Sequence, residues 1–326
     1  MTTHLVAGAS VALIAGSQRV EVVSGVTNIM TDAPVESATQ FRVASITKMY
    51  IATVAMRLVE RGVLTLDEPI AQYRLDLPPE LGFAHGVSLR QLLSHTTGIS
   101  QTYTADEDRY RRLSRRALLA RIPPPVCDPG DCWSYADGNY ILIQLVIERA
   151  TGQPLGAVLD AELFGPLGLD ETQFVDAAAV DDVLPHQYAL VTDDSGQPVE
   201  PKRLFQQALP RSGTLTTSAR DAATFADALF GADLFEPATL DDMLDTSAMR
   251  DLPCPDECPF PYGLGVLHYE GTVAGREMVG HDGSSGAVVA HDREADLTIA
   301  ILTNGGEQDV GAFLKGVAAA IDDATE

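Results

Sequence analysis

The chain has 326 residues, enough for a large core and too few for three ordinary domains, so one catalytic unit of two packed lobes is expected. A formal net charge of -24 and a pI of about 4.5 exclude a surface built for nucleic acid or anionic membrane, since phosphates are held by clustered Lys and Arg. Lysine occurs only at Lys48, Lys202 and Lys315, and no apolar run is long enough to span a bilayer.

Met1 to Gly8 lack a basic stretch followed by an apolar one, so no secretory signal is read there. A cytoplasmic protein is expected, or a secreted one if the start was trimmed. Val11–Ala15 and Gln18–Ser24 are β-rich runs around Gly16-Ser17 and predict a hairpin. An amphipathic helix is expected from about Ser45 to Arg61, with Gly62 as its C-cap. Leu64 to Ile99 reads as loop-rich, with one short helix near Leu89–Ser94. Arg111–Arg121 is a basic helical piece stopped by Pro123-Pro124-Pro125. Asn139–Thr151 predicts a buried helix ended at Gly152. Ser218–Phe230 predicts another, with Ser218 as N-cap and Asp221 at the third position. Gly286–His291 and Leu297–Thr303 read as a second hairpin, and Val310–Ile321 as a closing helix.

Strands thus lie at both chain ends and helices in the middle. The economical arrangement is an α+β fold, sandwich-like, with a mainly antiparallel sheet made by the two ends and flanked by helices. A mostly helical lobe is inserted. The α/β lobe is placed at approximately 1–62 and 260–326, the helical lobe at approximately 63–259. Four cysteines fall in two close pairs, Cys127/Cys132 and Cys254/Cys258. Disulfides, free thiols and zinc are all open readings, although neither spacing is C-x-x-C and no histidine sits beside either pair.

Chemistry is concentrated in three places. In Ser45-Ile46-Thr47-Lys48 the serine opens a helix and the lysine lies one turn on, within reach of the hydroxyl. The helix start adds positive potential where an oxyanion would develop. A serine hydroxyl needs its proton removed before it attacks, and a lysine inside Ile46…Ile51 is no ordinary surface residue. In Trp133-Ser134-Tyr135, just before the buried helix, the phenol can project into a cleft and serve in proton transfer. A core aromatic at a helix entrance is the plainer reading of that tyrosine taken alone. In Gly280-His281-Asp282-Gly283-Ser284, glycines flank polar residues at a strand edge, where a substrate backbone can come close. Taken alone, it reads as a tight turn with an exposed histidine.

The order S-x-x-K, Y-x-x, H-x-G resembles the serine β-lactamase and penicillin-binding-protein superfamily: class C enzymes, D-alanyl-D-alanine carboxypeptidases and related esterases. Leu66-Asp67-Glu68-Pro69 is similar to the family's LDDP segment, and Leu92 to Ile99 to its LLSHTSGL signature. Arg211 to Asp221 is similar to GGLxSTARD, and Tyr262-Gly263-Leu264-Gly265 to YGLGW. The resemblance runs from about Val11 to Thr303. It implies Ser45 as nucleophile, Lys48 and Tyr135 in proton transfer, His281 and Gly283 beside the substrate, and the backbone N–H groups of Ser45 and Ser284 as oxyanion donors. Ser94 and His95 are read as a structural loop.

The chain departs from the pattern at two points. Asp137 stands where the family has Asn, as a substrate-side residue that only accepts hydrogen bonds and raises the lysine pKa. Lys48 is then an electrostatic helper and Tyr135 the working base. His281 stands where many β-lactamases carry lysine, so no fixed charge awaits a substrate carboxylate, and Asp282 beside it would repel one unless it points away. The expected function is a serine hydrolase on a small-molecule ester, amide or peptide, with no metal or organic cofactor. Alternatives are an acyl-transferase of secondary metabolism, a D-alanyl-D-alanine carboxypeptidase, a true β-lactamase, and a penicillin-binding sensor without turnover. The sequence leaves the oligomeric state open.

Overall fold

The computed structural model describes residues 6–100, 115–175, 184–186, 214–231, 233–254, 260–273, 275–305 and 314–319. Among them, β1 (Gly8–Ala15), β2 (Gln18–Asn28), β3 (Ala33–Pro34), β7 (Leu267–Val273), β8 (Arg276–Gly283), β9 (Ala287–Asp292) and β10 (Leu297–Thr303) form one antiparallel sheet, ordered β3-β2-β1-β10-β9-β8-β7. β4 (Phe41–Arg42), β6 (Thr214–Thr217) and β5 (Gln173–Val175) form a second, small one in that order. The expected union of the two chain ends is the β1–β10 pair, with Val11 opposite Ile301. The first hairpin turns at Gly16-Ser17, with Ala15 opposite Gln18 and Gly16 at φ +55°, a value cheap only for glycine.

Among the described residues, four longer helices and one short one frame the site: α1 (Ile46–Glu60), the short α2 (Leu89–Leu93), α3 (Asp137–Thr151), α4 (Ala219–Phe230) and α5 (Pro237–Leu244). Gly62 at φ +70° and Gly152 at φ +71° end α1 and α3, as the sequence signals. The Ser88 hydroxyl and Gln91 cap α2 reciprocally. Ser218 Oγ accepts from the Asp221 N–H at 3.1 Å. Asp221 itself turns away from the cap and accepts from the Glu171 N–H at 2.8 Å and Thr172 Oγ1 at 2.9 Å. Of the basic helix, Arg115–Leu119 is helical, and its expected start at 111–114 lies outside the described residues. Of the closing helix, 314–319 is helical and the remainder likewise lies outside.

Every residue of β10 is buried because both sheet faces are covered. On one face Ile14, Val289, Ala300 and Leu302 pack with α1 and α4. On the other, Val288, Ala290, Ile299 and Ile301 pack with Leu314 and Ala318. The sequence reading omitted β7 and the full length of β8. Tyr50 of α1 stacks on Phe225 of α4, ring centroids 3.6 Å apart, so the two helices lock together where both pack on the sheet. α4 packs against β1, β9 and β10, although the lobe boundaries count it with the helical half.

Candidate active site

Three segments meet where α1 begins. Ser45 occupies its N-cap and is preceded by Ala44 at φ +44°, a backbone conformation costly for a residue with a Cβ. The turn is bracketed from one side by β6: the Val43 N–H donates to the Leu215 carbonyl at 3.2 Å, and the Leu215 N–H donates to Thr47 Oγ1 at 3.0 Å. From the other side comes the end of β8. A Cβ on Gly283 would collide with the Val43 carbonyl, so only glycine lets this strand reach the serine turn. Ser284, the next residue, is exposed.

Lys48 Nζ donates to Ser45 Oγ at 3.0 Å and lies 2.7 Å from Asp137 Oδ1. The two charged side chains are only 8% and 18% exposed. α3 begins two residues earlier than the sequence pattern suggests, which puts Asp137 in its first turn. Burial works against the ammonium, but the Asp137 carboxylate and the Tyr135 phenol outweigh it and hold Lys48 above the ordinary lysine range. The expected effect of Asp137 on the lysine is therefore present. An ion pair so placed is poor evidence for stability, because desolvation offsets most of the attraction.

The Tyr135 phenol hydrogen-bonds Lys48 and Ser45, and the lysine amine sits 4.8 Å from its ring centroid. A working base at Tyr135 would need a phenol that ionises readily, and its surroundings act the other way. Burial pushes Tyr135 up, the Asp137 charge adds to that, and the Lys48 charge does not compensate. The resting group is a neutral phenol.

His281 is buried within β8. Its Nδ1 donates to the Asp282 carbonyl at 2.6 Å, so Nε2 is the bare nitrogen that accepts from Tyr262 Oη at 3.1 Å. Burial lowers its pKa to about 4, leaving it neutral. The exposed imidazole expected of a tight turn is corrected to a buried one whose nitrogens are both engaged. Side chains alternate along a strand, so Asp282 points to the opposite face and accepts from Tyr269 Oη at 3.3 Å. Repulsion of a carboxylate by Asp282 is therefore withdrawn.

The sequence reading missed the aromatic floor of the site. His95 is fully buried, at φ +60°, and its ring lies 4.4 Å from that of Tyr135, 5.0 Å from Tyr262 and 5.3 Å from Tyr140. Its Nδ1 accepts from the Ala136 N–H at 3.2 Å and from Asn139 Nδ2 at 3.0 Å. Its backbone carbonyl accepts from the Ser134 N–H at 3.0 Å. Ser94 does behave as a structural residue, donating to the Arg90 carbonyl at 2.8 Å. Gly265, at φ +85°, lets the 262–265 segment press on Ala52 and the Tyr140 hydroxyl. The only local signals for this floor lie in the segments matched by resemblance; no periodicity marks them.

Cys127 and Cys132 form a disulfide three residues before Tyr135, which settles that pair against free thiols and zinc. Cys254 is disulfide-bonded as well. Cys258 lies outside the described residues.

The family model for Beta-lactamase matches residues 1–321. The chain belongs to that family. Penicillin-binding protein 4 of Amycolatopsis lactamdurans is 30% identical to this β-lactamase-family chain, over 94% of it and 82% of its own length. Esterase EstB of Burkholderia gladioli is 34% identical over 52% of this chain and 45% of its own. The structure of the D-amino acid amidase from Ochrobactrum anthropi SV3 superposes with a TM-score of 0.82 at 24% identity, covering 98% of this chain and 96% of its own. That likeness establishes the fold. This family member is a serine hydrolase of the β-lactamase-related type. Among its described residues, no helix is long and apolar enough to cross a membrane.

Proposed function

We propose that Ser45 is acylated by a small ester or amide and that water then releases the acyl group. The observation that carries this reading is the contact of Lys48 Nζ with Ser45 Oγ at 3.0 Å, at the start of a helix and under a phenol that bonds both. Ser45 is the nucleophile. Lys48 fixes the hydroxyl and offsets developing negative charge. Tyr135, a neutral phenol, donates its proton to the leaving atom. The backbone N–H groups of Ser45 and Ser284 receive the oxyanion, an arrangement supported by the close approach of Gly283 to the Val43–Ala44 backbone.

The charge balance supports the choice of substrate. The amine beside Ser45 is matched by a carboxylate, and the imidazole at 281 is neutral. Neither gives an uncompensated positive charge to a substrate carboxylate. Uncharged or cationic acyl donors suit this cleft better than the anionic β-lactams.

A panel of 4-nitrophenyl esters and D-amino-acid amides, run against wild type and Ser45→Ala, tests the reading. Turnover of at least one class by wild type and its loss in Ser45→Ala is expected. Equal rates in the two proteins would remove Ser45 from the chemistry.

A further inference from the structure

Attack by Ser45 requires a group that accepts its proton, and the neighbourhood leaves few candidates. Lys48 is held as an ammonium and has no lone pair to offer. Tyr135 is held as a neutral phenol. His281 Nε2 already accepts from Tyr262, and His95 Nδ1 already accepts from Ala136 and Asn139. The remaining base in contact with this chain of atoms is the carboxylate of Asp137, 2.7 Å from the same Lys48 nitrogen that touches Ser45 Oγ at 3.0 Å.

We propose that Asp137 is the terminal proton acceptor of the acylation step, reached from Ser45 through Lys48. This rests on the reading of Ser45 as nucleophile. Lys48 first passes one proton to Asp137 Oδ1, and the neutral amine turns its freed lone pair toward Ser45. As Ser45 Oγ closes on the acyl carbon, its proton passes to Lys48 Nζ. The Ser45 O–H bond and one Lys48 N–H bond break. A new Lys48 N–H bond and an Asp137 O–H bond form. The electron pair released on Oγ makes the bond to carbon, and the lysine is an ammonium before and after. When the tetrahedral intermediate collapses, Tyr135 gives its proton to the leaving atom, takes one from Lys48, and Lys48 recovers the proton from Asp137. The leaving group departs with the proton from Tyr135, which balances the one lost by Ser45, and Lys48, Tyr135 and Asp137 return to their starting states.

The position of Asp137 suits this role. The first turn of α3 carries the positive end of the helix dipole, which favours the carboxylate between turnovers. The titratable groups facing it are Lys48 from α1, Tyr135 ahead of α3, His95 from the segment after α2, and His281 from β8. Only Lys48 is charged at neutral pH. Protonation of Asp137 removes the acceptor, so the acid limb of the acylation rate reports Asp137.

The test is the pH dependence of kcat and kcat/KM for 4-nitrophenyl butyrate with wild type, Asp137→Asn, Asp137→Glu and Ser45→Ala. In Asp137→Asn, a fall in kcat of about 10²- to 10⁴-fold at pH 6 is expected, the usual worth of a positioned acid–base group. Its remaining activity should rise only toward alkaline pH, where the buried and now unpaired Lys48 loses its proton. Asp137→Glu should keep the acid limb at a reduced rate, which covers the case in which the asparagine variant does not fold. On wild type alone, kcat/KM should be lower in D₂O than in H₂O, because a proton leaves Ser45 as the bond to carbon forms; the absence of a solvent isotope effect would overturn the relay. So would a wild-type acid limb in Asp137→Asn, or a rise in KM with kcat unchanged. Activity surviving in Ser45→Ala would instead overturn the assignment of the nucleophile, so the two failures are distinct.

Discussion

The imidazole of His95 lies against the phenol ring of Tyr135, centroids 4.4 Å apart, and grips the residues on both sides of it. Its carbonyl holds the Ser134 N–H and its Nδ1 holds the Ala136 N–H and the Asn139 amide. His95→Leu keeps the backbone bond to Ser134 but takes the imidazole acceptor from the Ala136 N–H and the Asn139 amide in a buried site, at a cost of about 1–3 kcal/mol. It also lets Tyr135 shift, and a small misplacement of a catalytic group can lower rates about 10²-fold. A fall in kcat with KM near wild type is expected, with recovery in His95→Asn, whose carbonyl can still accept. An unchanged kcat in His95→Leu would show that the ring does no positioning.

Gly283 makes a second prediction. A methyl group there meets the Val43 carbonyl, two residues before Ser45. Gly283→Ala should cost about 1–3 kcal/mol of stability through overpacking. It should also cut kcat by pushing the serine turn off its position. Denaturant melts and ester kinetics on the same preparation check both. Wild-type values in each would mean that β8 gives way freely.

The buried histidines set an acid limit to stability. His281 titrates near 4 in the folded protein and near the ordinary 6.5 when unfolded, because burial opposes its charge. Between these values the unfolded chain binds more protons, so stability falls as pH drops from about 6.5 to 4. The loss from this residue is at most roughly 3 kcal/mol. Burial lowers His95 and His291 as well and adds to the slope. Asp221, raised to about 6 chiefly by burial, works the other way from about 6 down to its unfolded value of 3.8. Urea melts at several pH values should show a net acid loss that is smaller in His281→Asn. Equal slopes in the two proteins would contradict the linkage.

Charge pairing in the cleft predicts a substrate order. Phenylacetate-type esters should turn over faster than cephalosporins at equal concentration. Intact mass after penicillin treatment should show regenerated enzyme with product. A persistent adduct without product would mark a sensor, and preferred cephalosporin turnover would show that a cation for the carboxylate exists elsewhere in the cleft.

The Cys127–Cys132 link should matter to rate more than to folding. Closing so short a loop contributes about 2 kcal/mol in the chain-entropy view. The strand of chain it tightens runs on into Trp133, whose N–H donates to the Pro253 carbonyl at 3.0 Å, and then to Tyr135. Cys127→Ser/Cys132→Ser should fold, melt a few degrees lower and lose kcat. Full activity in that variant would free the phenol from any dependence on the link.

Legibility in the sequence followed the range of the signals. The first and last hairpins and the ends of α1 and α3 were marked by local patterning and by Gly16, Gly62 and Gly152, where backbone geometry restricts the residue type. β7 and most of β8 were missed because Leu267–Gly283 carries glycines and charges where a strand pattern would alternate cleanly. The helical spacing of Ser45 and Lys48 was readable from four residues. The bond from Lys48 to Asp137 was legible only as a departure from a family pattern. The place of His95 beneath Tyr135 depends on folding two distant loops together, for which no local pattern exists.

Peptide mapping after quenching a reaction with a fluorophosphonate probes the nucleophile most directly. One adduct is expected, on the peptide that carries Ser45, and none in Ser45→Ala. An adduct on a different residue, or equal labelling of both proteins, would place the chemistry elsewhere.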